Sequence, residues 1–169
     1  MIPAAIKHQF EFWSHIGQVG GYFHRYNGFS SLSPKDATWP SKIFDLKESH
    51  ISELKSNITM YHLAKSVAVS ESETLETLLQ VEGFTQTSSV AAMSMNAKVT
   101  EPYATHPEIE KITDEFGAEL FAKIASEAFG YTIYTNTIVP LLSSTKIQLF
   151  LKRLLDSSYY GSALLRWFK

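Results

Sequence analysis

The stretch SEAFGYTIYTNTI, residues 126–138, decides how the second half of the chain is expected to fold. Its pattern predicts the end of an amphipathic helix, a turn at Gly130 and Tyr131, and the start of a second short helix. Upstream, IEKIT at residues 109–113 predicts a strand, and Asp114 is a suitable cap for the helix that follows it. The predicted apolar face of that helix consists of Phe116, Leu120, Ile124 and Ala128.

Downstream of this stretch, the sequence predicts a second helix and a hairpin. The second helix lies around TIVPLLS, residues 137–143, where Pro140 fits only in the first turn. KIQLFL and GSALLRWFK, residues 146–151 and 161–169, alternate as strands. Joined through DSSYYG, they predict an antiparallel hairpin. The predicted order is therefore strand, helix, short helix and hairpin.

The first half begins with an amphipathic helix over residues 3–17. Its predicted apolar face consists of Ile6, Phe10, Trp13 and either Ile16 or Gly17. Residues 20–40 mix glycines, aromatic residues and turn residues. This composition predicts a loop whose rings cover apolar surface or frame a ligand.

Residues 39–95 follow a β-α-β-α-β pattern, which predicts mixed α/β layers. The first helix of the pattern is capped near Ser49. The second opens with a capping box of Ser70 and Glu73 and ends at Gly83. The predicted strands are residues 41–46, 62–69 and 87–95.

The domain organisation predicted from these patterns is two α/β lobes. Residues 98–107 contain two prolines and several turn formers, so they are the predicted linker. Residues 1–97 form the amino-terminal lobe, and residues 108–169 form a second, incomplete lobe.

The composition favours a folded chain and gives no sign of a nucleic-acid or membrane partner. The 44% hydrophobic content is too high for disorder, yet no apolar run reaches the length that spans a bilayer. The formal charge is −2 and neither sign forms a block, so neither nucleic acid nor a membrane is an expected partner. The first residues do not resemble a secretory signal, and a cytoplasmic location is expected.

Neither a metal site nor a serine hydrolase is expected from the reactive residues. The chain has no cysteine, and its histidines include no pair four residues apart and no carboxylate set with ligand spacing. No serine lies in a G-x-S-x-G elbow. The six histidines are His8, His15, His24, His50, His62 and His106.

The order of elements in the second lobe resembles the first half of the GCN5-related N-acetyltransferase family. The sequence similarity is greatest in EAFGYTIYTNTIVPLL, residues 127–142, because many members carry an Ala-Phe-Gly turn before the second helix. TWPSKIFDL and LLQVEGFTQTSSVAAMSM, residues 38–46 and 78–95, look like the amino-terminal extension of some members. The resemblance covers residues 39–169.

The resemblance implies an acetyl-CoA-dependent transfer of an acetyl group to an amine. It suggests Glu127 and Tyr131 as weak catalytic candidates, and Phe129, Tyr131 and Tyr134 as walls of an acceptor groove. In the family, a loop of the form R/Q-x-x-G-x-G/A holds the cofactor's pyrophosphate at a helix start. This sequence lacks that loop. No residue is therefore assigned to acetyl-CoA, and we expect a truncated chain without activity.

Other interpretations stay open for the same residues. Glu127 fits a solvated position beside the helix stripe, and the two tyrosines fit a role at the edge of the core, with their hydroxyls towards water. The alternative function is a non-catalytic interaction or dimerisation module. An incomplete sheet leaves an edge exposed, which predicts a homo-oligomer paired through that edge.

Overall fold

A computed structural model describes residues 4–35, 37–89, 109–153 and 160–167, and the side chains of these residues up to 151. It confirms a mixed α/β chain, with two three-stranded antiparallel sheets and five α-helices in the described residues. The chain divides into two compact units. The first comprises Met1–Lys35 and Pro40–Asn96, and the second comprises Asp36–Trp39 and Ala97–Lys169.

In its described residues, the first unit contains three helices and one antiparallel sheet, whose three strands pair in chain order. The predicted opening helix is present, and so is the first predicted strand and the helix after it. A 3₁₀ turn, Glu48–His50, leads into the second helix. The elements are α1 (Ala4–Gly20), β1 (Phe23–Tyr26), β2 (Phe29–Leu32), β3 (Lys42–Phe44), α2 (Ile51–Tyr61) and α3 (Glu73–Val81).

The loop predicted over residues 20–40 is wrong in part, because it contains the β1-β2 hairpin. Tyr26 pairs with Phe29 across the two-residue turn Asn27-Gly28. Gly28 has φ +90°, a conformation that an Asn-Gly turn provides easily. All four residues of β2 are buried, so the strand lacks the alternation that would have revealed it.

Two further predictions for the first unit need correction. Residues 62–69 form no strand beyond a single parallel bridge between Ile43 and Val67. The helix α3 is capped by Ser72, whose Oγ accepts from the Leu75 N–H at 3.3 Å, and not by a box at Ser70. Gly83 follows the helix end at φ +77°, as predicted. In the predicted strand 87–95, residues 87–89 have no regular structure and the others lie outside the described residues.

The core of the first unit includes a cluster of rings from α1 and the sheet. Phe44 lies with its ring centroid 5.4 Å from that of Trp13 and 5.5 Å from that of Phe10. Lys42 completes the cluster, with Nζ 4.6 Å above the Trp13 ring. Burial lowers the pKa of Lys42. The rings therefore fix α1 on the sheet.

The second unit follows the predicted order of strand, helix, short helix and hairpin. Its strand order is β4-β5-β6, with antiparallel pairing throughout. A 3₁₀ segment, Val139–Ser143, carries Pro140 in its first turn, as predicted. The predicted linker, residues 98–107, lies outside the described residues. The elements are β4 (Ile109–Lys111), α4 (Glu115–Phe129), α5 (Thr135–Ile138), β5 (Ile147–Arg153) and β6 (Tyr160–Trp167).

The cap of α4 is confirmed, but its predicted apolar face is wrong in part. Asp114 Oδ1 accepts from the Gly117 N–H at 2.8 Å. Phe116 is 75% exposed and Ala128 is also exposed. The other two predicted residues are half-buried. At about 100° per residue, the buried residues lie on the side of the helix roughly opposite Phe116, so the predicted stripe lies to one side of the buried face. The buried residues are Ala118, Phe121, Ala122 and Ala125.

Tyr22, between α1 and β1, has a buried hydroxyl without a hydrogen-bond partner among the described residues. Burial raises the pKa of this phenol. Tyr22→Phe is expected to increase the free energy of unfolding by about 1 kcal/mol near neutral pH, because an unsatisfied polar group is removed. The gain should grow above pH ~10, where the unfolded phenol ionises while the folded one stays protonated.

Urea unfolding at pH 8 and pH 10.5 tests this prediction, with the exposed Tyr61→Phe as the matched control. A Tyr22→Phe variant no more stable than Tyr61→Phe at both pH values would show that the Tyr22 hydroxyl is satisfied in solution.

Candidate functional site

The predicted turn at the end of α4 is present and is closed by Gly130. This residue has φ +67°, and its N–H donates to the Ser126 carbonyl at 2.9 Å. A Cβ at Gly130 would meet no atom within 4 Å. The glycine is therefore required by the backbone conformation and not by lack of space.

After the turn, residues 131–134 form neither helix nor strand, and Ser126 in the last turn of α4 holds them in place. The Ser126 hydroxyl accepts from the Ile133 N–H at 3.1 Å and donates to the Ile133 carbonyl at 3.3 Å. The Ile133 side chain is buried. One hydroxyl thus satisfies both backbone groups of Ile133.

The same segment is fixed from its other side by residues 37–39, which belong to the second unit. Thr38 Oγ1 accepts from the Thr132 N–H at 2.7 Å. The Thr132 carbonyl accepts from the Thr38 N–H at 3.1 Å and from the Trp39 N–H at 3.4 Å. We call residues 37–39 the strap, because both backbone groups of Thr132 are bound to it.

These bonds place all three predicted groove residues at the surface of the second unit. Phe129 is 66% exposed, Tyr131 is 51% exposed and Tyr134 is 45% exposed. Glu127, in the last turn of α4, is exposed as well. The predicted carboxylate and the three rings therefore lie within eight consecutive residues and face water, where they can meet a ligand.

The anchoring of this surface continues into α5. Tyr134 is the residue before the helix, and its carbonyl accepts from the Thr137 N–H at 2.9 Å. Thr137 and Ile138 are buried. The exposed rings thus stand on a backbone whose neighbours are held in the core, so the ring-bearing segment is ordered without being enclosed.

Sequence reasoning missed the two residues that hold the segment. Ser126 lies in the quoted stretch, but a serine in the last turn of a helix has many possible roles. Thr38 is 94 residues from Thr132 along the chain, and no local pattern indicates such a pair. The one signal in the sequence is the isoleucine between two tyrosines directly after the helix end. A buried isoleucine there requires hydrogen-bond partners for its backbone.

Other surfaces of the described residues offer fewer candidate groups for binding or catalysis. A shallow depression on α2 is lined by Lys55, Ser56, Thr59 and Met60, and the Thr59 hydroxyl donates to the Lys55 carbonyl. Within the described residues, no group of three or more histidine and carboxylate side chains could hold a metal ion. Among the described helices, none has the length and apolar content that crossing a membrane requires.

Comparison with known proteins gives no relative to set beside this geometry. No family model matches the chain, and neither a curated protein nor a solved structure matches it.

Proposed function

We propose that the second unit carries the acceptor-amine side of an N-acetyltransferase-like fold. The observation that carries the proposal is the exposure of Glu127, Phe129, Tyr131 and Tyr134, which lie close in sequence around the Ala-Phe-Gly turn. The order of β4, α4, α5, β5 and β6 supports it, since this order resembles the first half of the family.

The chemistry of this surface suits a protonated amine. The faces of aromatic rings attract an ammonium group, by about 0.5–1 kcal/mol for a ring at an exposed site. The Glu127 carboxylate, exposed in the last turn of α4, adds an opposite charge in the same part of the chain. Two or three such contacts sum to about 1–3 kcal/mol, so the ligand would bind with a dissociation constant of roughly 5–200 mM, which is weak but measurable.

The start of α4, the long helix of the second unit, does not fit the pyrophosphate of acetyl-CoA. A pyrophosphate needs several free N–H groups at a helix start. At the start of α4, the Gly117 N–H is bound by Asp114, and Asp114 and Glu115 place negative charge there. Glu127 and Tyr131 therefore enter the proposal as binding groups for the amine, and no transfer step is assigned to them.

Tyr131→Leu is expected to weaken amine binding two- to fivefold, because it removes one cation–π contact. The measurement is a nuclear magnetic resonance titration with a primary alkylammonium salt, followed at the amides of residues 127–134. The alcohol of the same chain length is the ligand control. Tyr61→Leu is the matched protein control, since Tyr61 is a similarly exposed tyrosine of the first unit.

Two outcomes would contradict the proposal. The alcohol would shift the same resonances as strongly as the ammonium salt, or Tyr61→Leu would weaken binding as much as Tyr131→Leu.

A second function, an interaction module, is favoured by apolar side chains exposed on the first unit. Met60 and Tyr61 end α2, while Leu78 and Val81 lie three residues apart on α3, and all four are exposed.

For self-association we propose the outer edge of β6, which pairs with β5 on its other side. Light scattering at tens of micromolar should give twice the chain mass of 19.0 kDa, and a monomer would contradict this proposal.

A further inference from the structure

The strap is the feature of the second unit that the proposed function has not used. Its residues lie in sequence between β2 and β3, two strands of the first unit, yet they belong to the second unit. Ala37 is buried, whereas Thr38 is exposed. The Thr38 hydroxyl is therefore not forced inward by packing. Its described hydrogen bonds both go to Thr132, since it accepts from the Thr132 N–H at 2.7 Å and donates to the Thr132 carbonyl at 3.5 Å.

The backbone on both sides of Tyr131 is held by hydrogen bonds. On one side stands Gly130, whose N–H donates to the Ser126 carbonyl at 2.9 Å. On the other side stands Thr132, whose N–H and carbonyl are bound to the strap. Ser126 holds Ile133, one residue further along. The backbone around Tyr131 is thus held at Gly130 by its own helix and at Thr132 by the strap, a distant part of the chain.

We infer that Thr38 is a positioning residue, which holds the Tyr131 ring in the orientation that receives an amine. The consequence for binding rests on the proposed function, whereas the positioning itself rests on the hydrogen bonds. The candidate site is then assembled from two distant parts of the chain, residues 37–39 and residues 126–134. A ring that is ordered before binding loses less entropy when a ligand arrives.

Thr38→Val tests the inference in the full chain, because valine keeps the shape of the threonine side chain and removes the hydroxyl that accepts from the Thr132 N–H. We expect the Thr132 amide to exchange its hydrogen about 3- to 10-fold faster, as for the loss of one exposed hydrogen bond. The Ile133 amide, held by Ser126, should change less. The Tyr131 ring resonances should move towards those of a mobile tyrosine, and the affinity for the alkylammonium ion should fall about twofold or more.

Thr38→Ser is the conservative variant and should restore all of these values, because it keeps the hydroxyl. Thr145→Val, at an exposed threonine of the same unit, controls for the substitution itself. Unchanged Thr132 exchange and an unchanged Tyr131 ring in Thr38→Val would overturn the inference. Faster exchange with an unchanged ring would overturn it as well, because the bond would then be structural only.

Failure of the proposed function gives a different result. The wild-type chain would then show no shifts with the alkylammonium ion, while Thr132 exchange and the Tyr131 resonances would still decide whether Thr38 positions the ring.

Discussion

Replacement of Phe44 by alanine should remove about 3–5 kcal/mol from the free energy of unfolding of the first unit. Phe44 is 1% exposed, and its ring contacts those of Phe10, Trp13 and Phe23. The truncation leaves a cavity where α1 meets the sheet, and three rings lose a partner. Since domains are stable by about 5–15 kcal/mol, a loss of this size leaves the unit near unfolding.

Urea unfolding followed by circular dichroism measures this effect. Phe116→Ala is the matched control, because Phe116 is an exposed phenylalanine on α4 and its loss should change stability by less than about 0.5 kcal/mol. Equal effects for the two variants would mean that α1 and its rings do not pack on the sheet as described.

Replacement of Gly17 by valine should remove about 2–4 kcal/mol, the second largest effect. A Cβ at Gly17 would overlap the Leu32 Cδ2 and would lie 2.9 Å from the Phe23 Cβ and 3.3 Å from the Phe23 Cα. Leu32 is fully buried and cannot swing away, and the Phe23 backbone belongs to β1. A side chain of any size must therefore push α1 off the hairpin.

Helix propensity favours the valine variant over glycine, but this gain is smaller than the loss caused by the overlap. Replacing glycine within a helix gains at most about 1 kcal/mol, and less for a β-branched residue. The overlap at Gly17 should therefore decide the sign. Gln18→Val, at the neighbouring exposed position of α1, is the matched control in the same urea experiment. A Gly17→Val variant as stable as Gln18→Val would contradict the close approach of α1 to β1 and β2.

The parts of the fold that the sequence predicted are those with local causes. Asp114 caps α4, Gly83 and Gly130 follow helix ends, and Pro140 lies in a first turn, because each effect acts within four residues. The hairpin at residues 23–32 also had a local signal in Asn27-Gly28. Its fully buried second strand hid the period-two pattern on which the prediction relied.

The parts that the sequence could not predict depend on distant partners. The buried face of α4 is set by what the helix packs on, so a stripe drawn from the sequence alone was rotated towards Phe116. At the candidate site, the exposed residues Phe129, Tyr131 and Tyr134 were anticipated as groove residues. Thr38 was not, because its bond to Thr132 joins residues 94 positions apart.

Calorimetry with two ligands tests most directly the central claim, which is that the chain binds an amine and does not bind acetyl-CoA. The wild-type chain should bind the alkylammonium ion with a dissociation constant of roughly 5–200 mM, with the loss in Tyr131→Leu that one ring contact implies. It should give no saturable heat with acetyl-CoA up to millimolar concentration. Tight one-to-one binding of acetyl-CoA, or no binding of the ammonium ion, would contradict the account.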